Sequence, residues 1–227
     1  MSEQQKQHDG IDEVNEALSR TEQVIEKYQK QILLGVLAVI VVVSGFIALR
    51  HFYFVPKEAR AQADLFRGEF YFQADSFNIA LNGDGGEFQG FLAIIDDAGS
   101  TKAGNLAKAY AGISYMRLGQ YDQAIKYLKD FSADDLLVSP AIVGAIGDCY
   151  VELGQVKEGI SYFEKAASRG DNDLISPIYL KKAGIAYESL GDYASAVKAY
   201  QKIKDNFSGS VEALDIQKYI ERAQLKK

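Results

Sequence analysis

Apolar and polar positions are very unevenly arranged along this chain. From Ile32 to Leu49 runs ILLGVLAVIVVVSGFIAL, eighteen residues without a charge, bounded by Lys30 and by Arg50-His51. At 1.5 Å per residue such a helix is roughly 27 Å long, close to the hydrocarbon thickness of a bilayer. Tyr28 precedes it and Phe52, Tyr53 and Phe54 follow, rings of the kind enriched at membrane–water interfaces. A soluble core helix seldom carries so long a Val- and Ile-rich run. A cleaved signal peptide would be shorter, nearer the N-terminus and followed by small residues, and Ala48-Leu49-Arg50 is a poor cleavage sequence. The pattern predicts an uncleaved single-pass anchor, with 32–54 forming the span and its interface. Flanking charge does not orient it: Arg20, Lys27 and Lys30 stand on one side, Arg50, Lys57, Arg60 and Arg67 on the other.

Upstream, residues 1–10 are polar and read as a disordered tail. Ile11, Val14, Leu18, Thr21, Ile25, Tyr28 and Ile32 then recur at alternating spacings of three and four. That seam predicts an amphipathic juxtamembrane helix over 11–31, with Glu13, Glu16, Arg20, Glu22 and Lys27 on its outer faces. Its apolar stripe suits a membrane surface, loose self-association or docking onto a membrane partner. Thr21 in the seam leaves a coiled-coil dimer marginal.

Beyond the span the chain repeats itself. AYAGISYMRLGQYDQAIKYL (109–128), GAIGDCYVELGQVKEGISYF (144–163) and KKAGIAYESLGDYASAVKAY (181–200) align, placing Gly112, Gly147 and Gly184 in register. Tyr115, Tyr150 and Tyr187 correspond, as do Gly119, Gly154 and Gly191. Each unit reads as helix, tight glycine turn, helix. The first glycine permits close approach of the paired helix, and the tyrosine three residues on fills the space beside it. The second, after Leu118, Leu153 or Leu190, ends the helix in a left-handed cap. The returning helix packs through Ala124, Gly159 or Ala196, then Leu128, Phe163 or Tyr200. Ser139-Pro140 and Ser176-Pro177 read as a capping serine before a proline at the first helical position.

This order of small residue, Tyr, Gly, aromatic or Val, small residue and aromatic resembles the tetratricopeptide repeat over roughly 105–204. Lys108, Val143 and Leu180 stand where that family has a large residue early in the first helix, and Gly159 replaces its usual alanine. The expected fold class is all-α: one transmembrane helix, then a tetratricopeptide α-α superhelix closed by a C-terminal capping helix. Its domain is expected over 57–227, with leading helices at 57–98, repeats at about 105–131, 140–167 and 177–204, and a cap at 208–225. The leading part looks like a divergent repeat turning at Asn82–Gly86, with Ser100 capping the helix that follows. The cap reads as one helix with Val211, Leu214, Tyr219 and Ile220 inward, the solvating end a solenoid needs.

Charge and composition narrow the chemistry. The 227 residues carry 25 Lys+Arg against 31 Asp+Glu, a net charge of −6, which offers no basic footprint for nucleic acid. The single cysteine, Cys149, excludes an internal disulfide and a cysteine-rich metal site, and reads as a small core residue. The two histidines, His8 and His51, both precede the repeats, so no histidine is available there to act as base or ligand. The Asn82–Glu87 loop fails the EF-hand calcium pattern, because the sixth position is Glu87 and the twelfth Ala93. No phosphate loop follows its glycines. Asp96-Asp97 and Asp134-Asp135 lie at helix ends, without a base or oriented partner. No enzyme activity, cofactor or metal is expected.

In tetratricopeptide proteins ligands bind the inner face built by the first helix of each unit. Carried onto this chain, that face comprises Leu106, Ala109, Ile113, Met116 and Arg117; then Ala141, Gly144, Asp148, Val151 and Glu152; then Ile178, Lys181, Ile185, Glu188 and Ser189. The Lys and Asn clamp by which one subclass holds a chaperone's terminal carboxylate is absent at Ala109, Ile113, Gly144 and Asp148. The surface reads as largely apolar, suited to an apolar helix or an unfolded segment, unless the domain's own leading or capping helix fills it.

Tail, single span and repeat domain together resemble the bacterial inner-membrane family that accompanies the Sec translocon and its periplasmic chaperones. ALNGDG, FLAIIDD and STKAGNLAKAYAGISY look like its Bacteroidota version. The resemblance implies a cytoplasmic N-terminus, a periplasmic repeat domain and translocon subunits, chaperones or translocating polypeptides as partners. A scaffold of another envelope complex, dimerising through the tail, is the alternative. A small-molecule or sensory reading lacks a polar pocket in the sequence.

Overall fold

The computed structural model describes residues 27–227. The polar tail and most of the expected juxtamembrane helix, residues 1–26, lie outside the described residues. The chain divides into two compact units, the first ending at Pro56 and the second comprising Lys57–Lys227. In the first, helix α1 covers 27–49, and the turn Arg50–Phe54 widens to π geometry. The helical run Lys27–Gln73 contains a stretch long and apolar enough to cross a membrane, none of it buried against protein. A helix suits such a segment because it satisfies every backbone donor and acceptor internally.

The second unit begins with three leading helices. The first, α2 (Val55–Gln73), buries Ala61, Leu65 and Gly68, one face at helical spacing. Gly68 has no room for a side chain: a Cβ there would stand 2.3 Å from the Phe91 ring. Asp75, in left-handed geometry (φ 54°), breaks the chain before α3 (Phe77–Asn82). The loop over 83–90 then leads to α4 (Phe91–Ala98). Asp84 organises that loop, accepting hydrogen bonds from the Gly86 and Phe88 amides and from the Tyr71 hydroxyl at 2.9 Å. Its backbone and tyrosine hydrogen bonds hold the carboxyl below the ordinary range.

The three pairs that follow are α5 (Lys102–Arg117) with α6 (Tyr121–Asp130), α7 (Val138–Glu152) with α8 (Val156–Gly170), and α9 (Ser176–Ser189) with α10 (Tyr193–Asn206). Each pair turns identically. Gly119, Gly154 and Gly191 take φ of 74°, 75° and 75°, and the next amide donates back to the carbonyl of Tyr115, Tyr150 or Tyr187. That is the left-handed closure expected of a glycine after the last helical turn. The other glycine of each unit is a contact point. A Cβ on Gly112, Gly147 or Gly184 would meet Leu128, Phe163 or Tyr200 at 2.5, 2.7 and 2.2 Å. Beside it, Tyr115 stacks on Tyr127 and Tyr150 on Tyr162, with ring centroids 5.4 and 5.2 Å apart. Gly159, where alanine is usual, lies under Val151, whose methyl would be 2.5 Å from an added Cβ.

The helix starts differ from the sequence expectation. Thr101, not Ser100, caps α5 by accepting from the Gly104 amide, while the Glu58 carboxylate from α2 accepts from the Lys102 and Ala103 amides. Ser139 and Ser176 are buried inside their helices rather than capping them. Asp135 accepts from the amides of Leu137, Val138 and Ser139, and Asn172 from those of Leu174 and Ile175. A longer side chain placed before the turn reaches several free amides that a serine on the first turn cannot. Asp135 is therefore a structural cap and not merely a solvated carboxylate.

The C-terminal segment is a short 3₁₀ turn, Glu212–Leu214, followed by α11 (Ile216–Gln224), instead of one helix from 208. Ile216, Ile220 and Ala223 are buried and Tyr219 half-buried, but Val211 and Leu214 point to solvent. They fall before α11, outside its inward stripe.

A stitched inner face on the repeat helices

The first helix of each pair carries the residues expected to meet a ligand, and many of them are already engaged. On α5, Ala109 is buried, and Leu106, Ile113 and Met116 are half-buried against the core beneath α7. Arg117 is exposed, yet its guanidinium lies 3.6 Å from Asp75 and 5.6 Å from the Phe77 ring centroid of the leading segment. On α7, the Tyr179 ring of the next unit lies over Gly144, where a Cβ would be 1.9 Å away, and its hydroxyl donates to the Ala141 carbonyl. Burial pushes that phenol up to about 12. Val151 is half-buried, and Glu152 is exposed with the Tyr121 hydroxyl 3.5 Å away.

Charged positions pair from one unit to the next. Lys182 donates to both oxygens of Asp148 at 2.7 Å, Lys181 to Asp215 at 2.7 Å, and Arg222 to both oxygens of Glu188 at 2.6 and 3.1 Å. Every one of these pairs spans 34 residues. The side chain of one first helix thus reaches its counterpart one repeat later, and α11 serves as the counterpart for α9. Lys181 also lies 4.5 Å from the Tyr219 ring centroid. Burial works to raise the Glu188 carboxyl, but donation from Arg222 and from the Tyr200 hydroxyl outweighs it and holds the group below its ordinary range.

Of the expected inner-face set, Arg117, Glu152, Ile178, Ile185 and Ser189 are the exposed residues, with Ile185 at 47%. The surface is therefore less apolar and less free than its sequence suggests, and its charges serve the stacking of units. Cys149 is fully buried, and burial pushes its thiol up to about 11, so it stays protonated near neutral pH. Among the described residues no group of His, Cys, Asp and Glu side chains is placed to hold a metal ion.

Large exposed apolar side chains lie elsewhere, in places no repeat pattern marks: Phe66 and Phe70 one turn apart on α2, and a series on the loops entering α7, α9 and the cap.

The architecture is that of a tetratricopeptide-repeat superhelix. Residues 111–173 and 180–210 each match a tetratricopeptide repeat family model. Two solved structures of a Podosopora anserina kinesin light chain candidate, built of nearly identical TPR-like repeats, superpose with TM-scores of 0.55. They share 16% and 15% identity and cover 74% of this chain and 87% of their own. The crystal structure of MamA protein superposes with a TM-score of 0.53 at 17% identity, covering 73% of this chain and 91% of its own. Among curated proteins there is no match. Likeness at this identity is likeness of fold. Repeats of this kind support a role in binding other proteins, as adaptor or scaffold.

Proposed function

We propose that the protein is a membrane-tethered adaptor without catalytic activity, whose repeat domain holds other proteins on its inner face. The observation that carries this reading is the pairing of one apolar, unburied helix long enough to cross a membrane with a repeat superhelix that keeps Ile178 and Ile185 exposed. Tethering raises the local concentration of a weakly held partner, so modest affinity suffices. Beside these isoleucines, Leu106, Ile113, Met116 and Val151 supply the apolar floor. Arg117, Asp148, Glu152, Lys181 and Glu188 set the charge around it, and Ala109 lets the helices approach.

The finer reading is that this adaptor works at the Sec translocon, with its N-terminus in the cytoplasm and its repeats in the periplasm, among chaperones and translocating chains. Its support is the order of tail, apolar helix and repeat domain and the resemblance of the ALNGDG and FLAIIDD stretches to the Bacteroidota-type version. Capture of the tagged full-length protein from cross-linked membranes should recover translocon subunits. Replacing Ile178 and Ile185 together by Glu should remove them at least tenfold while leaving the thermal transition in place. Capture unchanged by that substitution would exclude the inner face, and recovery of a different envelope complex would exclude the translocon. An alkaline phosphatase fusion after Lys227, active only in the periplasm, tests the orientation.

A further inference from the structure

Three successive loops between repeats display apolar side chains that the core does not cover. Leu136 is 64% exposed before α7, Leu174 68% before α9, and Val211 and Leu214 are 77% and 85% exposed before α11. The loops adjoin. The Asn172 amide donates to the Leu136 carbonyl at 3.0 Å, Arg169 to the Ala133 carbonyl at 3.0 Å, and a Cβ on Gly209 would lie 3.9 Å from the Asp173 carboxylate. With helix layers about 8–10 Å apart, the row runs roughly 20 Å along one edge of the superhelix.

Its charge is mostly negative, although Arg169 at the end of α8 reaches it through the Ala133 carbonyl. Across 130–138, 170–180 and 205–217 every charged side chain is a carboxylate. Asp135 is spent on capping α7, and Asp215 is paired with Lys181. Asp134, Asp173 and Glu212 are exposed or half-exposed and make no ion pair among the described residues. An apolar row whose loops carry carboxylates, with Arg169 turned onto the Ala133 carbonyl, complements a segment that alternates large apolar residues with lysine or arginine.

We propose that this edge, apart from the inner face, docks a basic amphipathic segment of a partner protein. Other occupants fit the charge poorly. A second copy of the edge would bring carboxylates against carboxylates, and anionic lipid would be repelled. The chain's own N-terminal seam is mixed in charge, with Glu13, Glu16 and Glu22 against Arg20 and Lys27, and so lacks the lysine- or arginine-rich face this edge asks for.

The test uses the full-length protein in zwitterionic nanodiscs, with empty discs subtracted. The probe is a fluorescent helical peptide of Leu and Lys with Leu at three- and four-residue spacing. Its Glu-for-Lys counterpart is the control. Replacing Leu136, Leu174 and Val211 together by Ser should weaken the lysine peptide at least tenfold, and Asp134→Asn, Asp173→Asn and Glu212→Gln combined should do so by about tenfold. The Glu peptide should not bind, and Ile178→Ser with Ile185→Ser should leave the affinity for the lysine peptide as it is in wild type, which separates this edge from the inner-face reading. Leu136, Leu174 and Val211 lie at the surface, so the serine variant should keep the wild-type melting temperature. A photo-cross-linker at 174 should label the peptide, and one at 185 should not. Equal affinity after the serine changes, or labelling at 185 in place of 174, overturns the proposal. So does a serine variant that changes only vesicle binding or self-association.

Discussion

The inner face of the repeat helices and the edge formed by their connecting loops come from the same units, yet they distribute charge and apolar surface in opposite ways. On the inner face the charged side chains pair across units, Asp148 with Lys182 and Glu188 with Arg222, and much of the apolar surface is covered by the neighbouring helix. On the loop edge the polar side chains turn inward to the backbone, as Asp135 and Asn172 do, and Leu136 and Leu174 are left outside. A helix surface in a stacked solenoid always has a neighbour to meet. On these loops Phe131, Ile175 and Phe207 pack into the core, whereas Leu136 and Leu174 do not. The lesson is that exposed apolar side chains on the loops carry more information about binding than half-buried ones on the helices.

If the inner-face helices are primarily structural, substitution beneath them should cost the most. Gly184→Val should destabilise the domain by about 3 kcal/mol, because its Cβ meets the Tyr200 ring at 2.2 Å. A denaturant midpoint unchanged from wild type would show that α9 and α10 are not held as described.

The ion pair closing the stack should matter next. Glu188→Gln should cost about 1–2 kcal/mol, since Arg222 and Tyr200 lose a charged acceptor. The folded carboxyl sits below its ordinary range, so its contribution is full above the unfolded value and fades as pH falls through the lower folded one. Wild type and variant should therefore differ in melting temperature at neutral pH and converge in acid. A constant difference across that range would break the assignment.

The smallest effect is a gain. Ser114, Cys149 and Ala186 occupy the same place, two residues after the contact glycine of each unit, and all three are buried. The Ser114 hydroxyl is buried without a hydrogen-bond partner among the described residues. Ser114→Ala should stabilise the first unit by about 1 kcal/mol, read as a higher denaturant midpoint. A loss of stability would mean that the hydroxyl has a role the packing does not reveal.

Much of this was legible in order of residues. The glycine turns, the contact glycines and the all-helical class followed from spacing, because backbone conformation at Gly119 and close approach at Gly184 are demands that few other residues meet. The caps were misread because serine before proline is a local signal, whereas Asp135 and Asn172 reach their amides from a loop whose path is set by the packed helices on either side. The expected groove was overestimated for a related reason. Family offsets say which way a side chain points and not what stands opposite it.

The sequence by itself determined the long apolar helix, the repeat period and the helix pairing, since these rest on hydropathy, steric allowance and local hydrogen bonding within about forty residues. Only the tertiary structure decided which inner-face charges are already paired, that the cap breaks into a 3₁₀ turn and a helix starting at Ile216, and that Val211 and Leu214 face solvent. Those outcomes depend on contacts between successive repeats, where the register of one helix against the next is set by packing and is not written in either helix alone.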